Sequence, residues 1–383
     1  MLGLALAGAP PAALAAQWSF VPTFAFLIDH DSNRFLVPDG TPSDGASMSV
    51  DAQLQYATDR LTVALHPQAL LQRYDSRIFP NTNDVSLGGN VNWLTERSSF
   101  AFNGLVSELS LLTTELPVTG IVEPGTRVRN ENAAGSWTYA ETETRSLTLQ
   151  ASSVDAVYQS QSGLIPGTPL LSYRGTTLSA TQQFQHSERL GLFATLSIGS
   201  FDEQGLLATV RTDGLVMGLK SQLSERTTLS VDAGVSRTTY LSLVSEGFLG
   251  DLTLTRTTET GSLTLSASRN VQPAGFGEIT QQDTIKLAAH RDLSERLGAD
   301  ANLSFNRYSS VFDIPGLISI DLPYLDRSFA QLGLGLTWHQ TETWSLASWA
   351  YENRAEANTV PTADGWQVQV SAVWTPRGRS VSR

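Results

Sequence analysis

Apolar and polar residues alternate with a period of two along almost the whole chain. The first such segment places Trp18, Phe24 and Ile28 on one face and Ser19 and Thr23 on the other. Similar alternation recurs in about 18 segments, most of them 10–14 residues long. A period of two predicts β-strands. Their length exceeds the usual five or six residues of a globular strand and matches the roughly 9–11 residues that a tilted strand needs to cross a bilayer.

A short polar motif, Ser/Thr-Glu-Arg, recurs between these segments at intervals of about 35–45 residues. Clear copies lie at 95–97, 187–189, 224–226 and 294–296, and looser copies lie at 58–60, 143–145, 258–260 and 341–343. Nine longer connections alternate with these eight turns, at 29–45, 74–83, 113–126, 159–172, 202–209, 241–246, 273–278, 311–325 and 355–363. Short turns on one side and long loops on the other are typical of outer-membrane barrels, in which the short turns are periplasmic. The pattern predicts an all-β, transmembrane, antiparallel up-and-down barrel of about 18 strands (16–18), with both termini periplasmic.

Closure of the sheet follows from solvation. Every backbone N–H and C=O within hydrocarbon must be paired, so a sheet that spans a bilayer must have no free edge. At roughly 16–18 strands the interior is too wide for side chains to fill, which leaves a water channel or a plugged lumen. Aromatic residues close to the ends of the apolar faces predict an interfacial girdle. They are Trp18, Tyr56, Trp93, Trp137, Trp338, Trp344, Trp366 and Trp374.

Composition agrees with a barrel and excludes several other classes. Charged residues make up 16% of the chain, against roughly 25% in soluble domains. The net charge of −12 argues against a nucleic-acid-binding protein, which needs a basic surface. The chain has no cysteine, which excludes a lipoprotein anchor, disulfides and thiolate metal sites. No cofactor is predicted.

The two ends of the chain have their own patterns. Residues 1–16 are apolar and Ala-rich and end in Ala13-Leu14-Ala15-Ala16, which resembles a signal-peptidase site. We therefore expect a signal peptide at 1–16, the barrel at 17–375 and a periplasmic tail at 376–383. No window of 18 consecutive apolar residues follows the first segment, so no transmembrane helix is predicted.

The polar faces of the strands predict the lining of the lumen. The candidates for the path of a solute are Asp51, Gln53, His66, Gln68, Asn90, Asn92, Lys220, Asp232, Lys286, His290, Asp300, Asn302, His339 and Gln367. Amides and hydroxyls offer exchangeable hydrogen bonds that suit a polyhydroxylated solute, although any water-filled lumen has a similar lining. An anion pore would carry more inward Arg and Lys, and among basic residues only Lys220 and Lys286 are clearly predicted to face inward.

Three local features have competing interpretations. His66, His290 and His339 share the polar faces, but no Ser/His/Asp grouping accompanies them, so polar lumen residues are favoured over catalytic bases. The run 29–33 resembles the start of a calcium loop but lacks the glycine and the glutamate that such a loop needs, which favours an ordinary surface turn. The apolar segment 311–325 either folds into the channel, docks a partner or lies on the rim.

Trp18-Ser19, Pro22 and Asp31-Ser32-Asn33, together with the Leu-Ser/Thr-Glu-Arg turns, give the chain a family resemblance. It resembles the outer-membrane β-barrel porins found with bacterial exopolysaccharide export loci of the exosortase/Wzy type. The resemblance covers nearly all of the chain after residue 16. It implies passage of a secreted polysaccharide across the outer membrane, a periplasmic polysaccharide-export protein as partner, and no catalytic residues.

The expectation drawn from the sequence is a non-enzymatic conduit for a hydrophilic polymer, with exopolysaccharide as its cargo. The first alternative is a general diffusion porin for small solutes. An outer-membrane hydrolase that depends on His66, His290 or His339 is a third hypothesis, and a structural barrel with a filled lumen is a fourth.

Overall fold

A computed structural model of the chain describes residues 16–75, 79–114, 125–160, 171–203, 209–274, 278–312, 326–357 and 360–382. The predicted signal peptide lies outside these residues except for Ala16. So do 313–325, most of the apolar connection noted above.

Eighteen long antiparallel strands form one closed sheet, as the alternation predicts. In chain order they are β1 (Gln17–Asp31), β2 (Ser43–Ala57), β3 (Leu61–Tyr74), β4 (Thr82–Leu94), β5 (Ser98–Ser110), β6 (Thr126–Thr142), β7 (Arg145–Ser160), β8 (Tyr173–Ser187), β9 (Leu190–Glu203), β10 (Val210–Ser224), β11 (Thr227–Tyr240), β12 (Leu243–Thr258), β13 (Gly261–Ala274), β14 (Glu278–Asp292), β15 (Leu297–Ser310), β16 (Arg327–His339), β17 (Trp344–Ala357) and β18 (Val360–Trp374). Each strand pairs with its neighbours in sequence, and β1 pairs with β18 to close the barrel.

Two short elements complete the described structure. A single helical turn, α1 (Leu111–Thr114), follows β5. A four-residue strand, β19 (Arg379–Ser382), lies beyond β18 and pairs with Gln17–Phe20 of β1. Part of the predicted C-terminal tail therefore extends the wall of the barrel. Within the described residues, no helix is long and apolar enough to cross a membrane.

The Ser/Thr of the recurring motif has a local structural role. In the turn between β14 and β15, Ser294 Oγ accepts hydrogen bonds from the backbone N–H groups of Arg296 (3.3 Å) and Leu297 (3.1 Å). Thr341 Oγ1 does the same between β16 and β17, accepting from Thr343 N (3.2 Å) and Trp344 N (3.0 Å). A hydroxyl that accepts from the backbone two or three residues later stabilises a tight turn. The motif thus fixes the register of the strand pairs.

The eight short turns form one end of the barrel, the short-turn rim, and the other connections form the long-loop rim. Neighbouring turns are joined by backbone hydrogen bonds, for example from Leu94 N to Arg60 O (2.8 Å) and from Gln222 N to Arg189 O (2.8 Å). Some predicted long connections are shorter than expected. The connection at 241–246 is in fact a two-residue turn between Tyr240 and Leu243.

One face of the sheet carries exposed apolar side chains and the other carries the small and polar ones. Leu178, Leu196 and Leu334 are 61%, 60% and 57% exposed on the apolar face. The polar face is the inner one, because side chains on it from nine consecutive strands line a single cavity, which only the concave side of a closed sheet allows. An outer apolar belt and a polar interior are the arrangement of a membrane-spanning barrel.

The aromatic girdle is asymmetric. Among the aromatics that the sequence predicted for it, Trp366 lies near the long-loop rim, and the others lie in the half of their strands nearer the short-turn rim. Several pair across strands: Trp18 with Tyr56 at 4.7 Å and Trp344 with Trp374 at 6.0 Å between ring centroids. Such pairs contribute roughly 0.5–1.5 kcal/mol each beyond burial.

Candidate functional site: the lumen and its mouth

The fourteen predicted solute-path residues all lie on the inner face, as the alternation of their strands requires. Their role in solute passage is a separate question. Some of them are in contact. Gln68 Nε2 donates to Asp51 Oδ2 (2.7 Å), and Ser86 Oγ donates to Gln68 Oε1 (3.2 Å). Asp232 lies directly opposite Asp251 on β12.

The three inner histidines are separated. His66 is on β3, His290 on β14 and His339 on β16. Both ring nitrogens of His290 bind carboxylates, Nδ1 to Asp300 Oδ1 (2.7 Å) and Nε2 to Asp292 Oδ1 (3.2 Å). A general base must keep one nitrogen for the nucleophile, so this geometry does not favour hydrolysis at His290.

The connection between β1 and β2 folds into the mouth of the barrel. The Arg34 guanidinium pairs with the Asp29 carboxylate, both side chains being 7% exposed. Its Nε donates to Ser43 Oγ (2.6 Å), and its Cζ lies 4.5 Å from the centre of the Tyr74 ring. The interpretation of 29–33 as a surface turn is therefore wrong, and the carboxylate that would begin a calcium loop is neutralised by arginine.

The same connection is tied to β18, far away in sequence. Asn33 Nδ2 donates to Asp364 O (2.9 Å) and to Val37 O (2.7 Å). Leu36, 6% exposed, packs on Phe329 and Ala363 of the inner face. This connection narrows the long-loop end of the lumen.

Two further apolar clusters lie at the same level. Leu111 of α1 packs with Val128 and Ala156. Phe201, Val210, Tyr240 and Ile279 form the other cluster. We refer to these two clusters together with Leu36, Phe329 and Ala363 as the mouth layer. Most of its members occupy inner-face positions, where alternation alone predicted polar side chains.

The start of the apolar connection 311–325 reaches the mouth layer. Val311 and Phe312 pack against the cluster of Phe201 and Tyr240, and the rings of Phe312 and Tyr240 are 6.3 Å apart. This favours folding toward the channel for these two residues. The rest of the connection lies outside the described residues.

Close to the mouth layer is a cavity of 570 Å³. Its lining includes the amides of Asn103, Asn132 and Asn270 and the hydroxyls of Ser152 and Thr177. Among the described residues that line it, none is charged. The cavity can accept a hydrogen-bonding solute without requiring a charge on it.

Sequence reasoning missed several inner residues. Arg34 and Arg327 are buried near the long-loop rim, in addition to the two lysines predicted to face inward. Trp349 and Tyr351 on β17 also lie on the inner face, because they alternate with the outward Leu346 and Glu352. The signal was available, since an odd separation from Trp344 places Trp349 on the opposite face.

No protein-family model matches the chain, and no curated protein matches it. Solved structures do. Pseudomonas aeruginosa OccK2 (OpdF), crystallised in complex with glucuronate, aligns over 94% of this chain and 98% of its own, with 11% identity and a TM-score of 0.50. P. aeruginosa OccK9 (OpdG) aligns over 94% and 98%, with 14% identity and a TM-score of 0.49. Acinetobacter baumannii OccAB3 aligns over 95% and 100%, with 12% identity and a TM-score of 0.46.

At 11–14% sequence identity, the similarity to these structures is one of fold alone. The chain is a closed, 18-stranded antiparallel barrel with the fold of outer-membrane porins.

Proposed function

We propose that this protein is an outer-membrane channel through which small, polar, uncharged solutes diffuse passively. The single observation that carries the proposal is the 570 Å³ cavity, whose lining combines amides and hydroxyls with apolar side chains and is free of charge among its described residues. Its volume falls in the range of about 300–1,000 Å³ in which small molecules bind. We further propose that both termini are periplasmic, because the short turns of outer-membrane barrels face that compartment.

The mouth layer supports small solutes over polymers. It brings apolar side chains and the β1–β2 connection into the long-loop end of the lumen. OccK2, a barrel of the same fold, was crystallised with glucuronate, which is a small solute. The predicted lumen residues, Lys220, Lys286 and Asp232 among them, would then supply the polar wall of the path.

Two adjacent residues on β7 offer a matched test. Ser152 lines the cavity from the inner face, and Ala151 alternates to the outer face, where it is exposed opposite Leu178. We expect Ser152→Trp to lower the single-channel conductance in planar bilayers and to slow the swelling of liposomes in arabinose. Ala151→Trp should leave both unchanged, since an outward tryptophan meets lipid. A folded wild-type barrel that neither conducts nor admits arabinose would overturn the proposal.

The resemblance to exopolysaccharide porins motivates a second proposal, a conduit for secreted polysaccharide that works with a periplasmic export protein. The observation in its favour is the amide- and hydroxyl-rich wall, whose hydrogen bonds can exchange with sugar hydroxyls. It predicts that deletion of the gene leaves polymer synthesis intact but abolishes secreted polymer. Normal secretion in the deletion strain would exclude this role and leave solute diffusion.

A further inference from the structure

Two aromatic side chains form a continuous surface on the lumen wall. The rings of Trp349 and Tyr351 on β17 are 5.5 Å apart between centroids and within 8° of parallel. All eight tryptophans lie in described strands, and Trp349 is the one that faces inward. Both rings are half-buried. An inner aromatic pair needs an explanation, because girdle aromatics belong on the outer face.

Glycines on β16 leave the space that the two rings occupy. Gly335 lies opposite Trp349, and Gly333 lies opposite Tyr351. A Cβ added at Gly335 would approach three atoms of the indole to 2.5–2.7 Å, and one at Gly333 would approach the phenol ring to 2.7 Å. The rings therefore cover the bare backbone of β16. Both side chains nevertheless keep part of their surface exposed.

Hydrogen-bonding side chains flank the pair in two rows that follow the register of the sheet. The first row runs Asp300, Gly335, Trp349, Gln369, and the second runs Asn302, Gly333, Tyr351, Gln367. Neighbouring strands are about 4.8 Å apart, so each row places polar groups on both sides of a ring. The Asp300 carboxylate also accepts a hydrogen bond from His290 Nδ1 at 2.7 Å, which fixes its carboxyl group.

We propose that Trp349 and Tyr351 form a binding platform for the pyranose ring of a saccharide in transit. The inference rests on the proposed channel function and names the class of solute. One face of a pyranose presents C–H groups, which pack well on the negative face of an aromatic ring. Its equatorial hydroxyls point sideways, toward the amides of Asn302, Gln367 and Gln369 and the Asp300 carboxyl. Stacking on an aromatic face can bind different sugars, and each sugar dissociates readily from it. Ready dissociation is what a solute in transit requires.

The test uses the purified barrel and maltotriose as the probe. In planar bilayers, maltotriose should block the wild-type current, and Trp349→Ala should raise the half-blocking concentration about tenfold. The matched control is Phe193→Ala, which removes another inner-face aromatic, on β9, and should leave the block unchanged. A polyethylene glycol of equal hydrodynamic size has no pyranose face, so its effect should be the same in all variants.

A second measurement does not depend on conduction. Saturation-transfer NMR with the detergent-solubilised barrel should transfer saturation to the ring C–H protons of maltotriose in the wild type. The transfer should be lost in Trp349→Ala and partly retained in Trp349→Phe. Conduction without maltotriose block or transfer would overturn the platform and leave the channel. Saturation transfer without conduction would keep the platform and overturn the channel. Equal block and transfer in the wild type and Trp349→Ala would also overturn the platform.

Discussion

Removal of the Arg34 guanidinium should release the β1–β2 connection from the mouth of the barrel. Arg34 is buried, pairs with Asp29, donates to Ser43 and stacks over Tyr74. Arg34→Ala leaves the Asp29 carboxylate buried with one remaining amide donor, Gln367 Nε2 at 3.2 Å. The wall strands keep their own hydrogen bonds, so the barrel itself should stay folded.

The free-energy cost of Arg34→Ala follows from the burial of the Arg34–Asp29 ion pair. Removing one partner of a buried ion pair costs about 3–5 kcal/mol. The interactions that still hold the connection contribute a similar free energy. Burial of Leu36 contributes about 1.5–3 kcal/mol, and each hydrogen bond of Asn33 contributes about 1 kcal/mol. Since 1.4 kcal/mol is a factor of ten, the released state should become about 10² to 4 × 10³ times more populated.

Single-channel recording measures this population. We expect Arg34→Ala to add a second, larger conductance level that the wild type visits rarely. The double variant Asp29→Ala/Arg34→Ala should show less of it, because the unpaired buried charge is gone. Arg129→Ala is the matched control, since Arg129 pairs with Glu131 at the surface, where the two side chains are 55% and 47% exposed and such pairs contribute little. Identical traces for Arg34→Ala and wild type would refute the reasoning, as would a double variant that opens more often than the single.

Three further predictions concern the wall and its turns, each measured by equilibrium unfolding in detergent. Gly335→Ala places a methyl under a tryptophan ring and should destabilise the barrel by about 1–3 kcal/mol. Gly88→Ala is the control and should be tolerated, because the nearest atom to its added Cβ is 3.8 Å away. Equal effects of the two substitutions would contradict the contact between Trp349 and Gly335. Leu196 lies in the middle of the outer belt at 60% exposure, and Leu196→Lys should lower the free energy of unfolding by about 2–4 kcal/mol. Thr195 is its inward neighbour, and Thr195→Lys should lower that free energy much less. The reverse order would show that the inner and outer faces are misassigned. Ser294→Ala removes two turn hydrogen bonds and should cost about 1 kcal/mol, which Ser294→Thr should recover.

The wall of the barrel could be predicted from the sequence because its determinants are local. Alternation sets the face of each residue within its own strand, so Asp51, His66 and Gln367 are found where their positions predict. The Ser/Thr-Glu-Arg turns marked one rim, because their hydroxyl caps involve residues only two or three positions away. Strand number and closure followed from these two patterns and the need to pair every backbone group in lipid.

The mouth could not be predicted in the same way. Val128, Phe201 and Tyr240 occupy inner-face positions, yet they pack in apolar clusters near the long-loop rim. Period-two alternation identifies a face and does not say what chain segment will cover it. The run 29–33 likewise looked like a surface turn, because nothing in its neighbourhood indicates the Tyr74 ring over which Arg34 lies.

By itself, the sequence determined the class of fold, the number of strands, the inner and outer faces and the short-turn rim, since these depend on residues close together in the chain. Only the tertiary structure decided what occupies the lumen. Asn33 meets Asp364 across 331 residues of sequence, and Trp349 lies flat because β16 supplies a glycine opposite it. Such contacts depend on which distant residues the closed sheet brings side by side. This juxtaposition narrows the mouth of the lumen and places the aromatic pair on its wall.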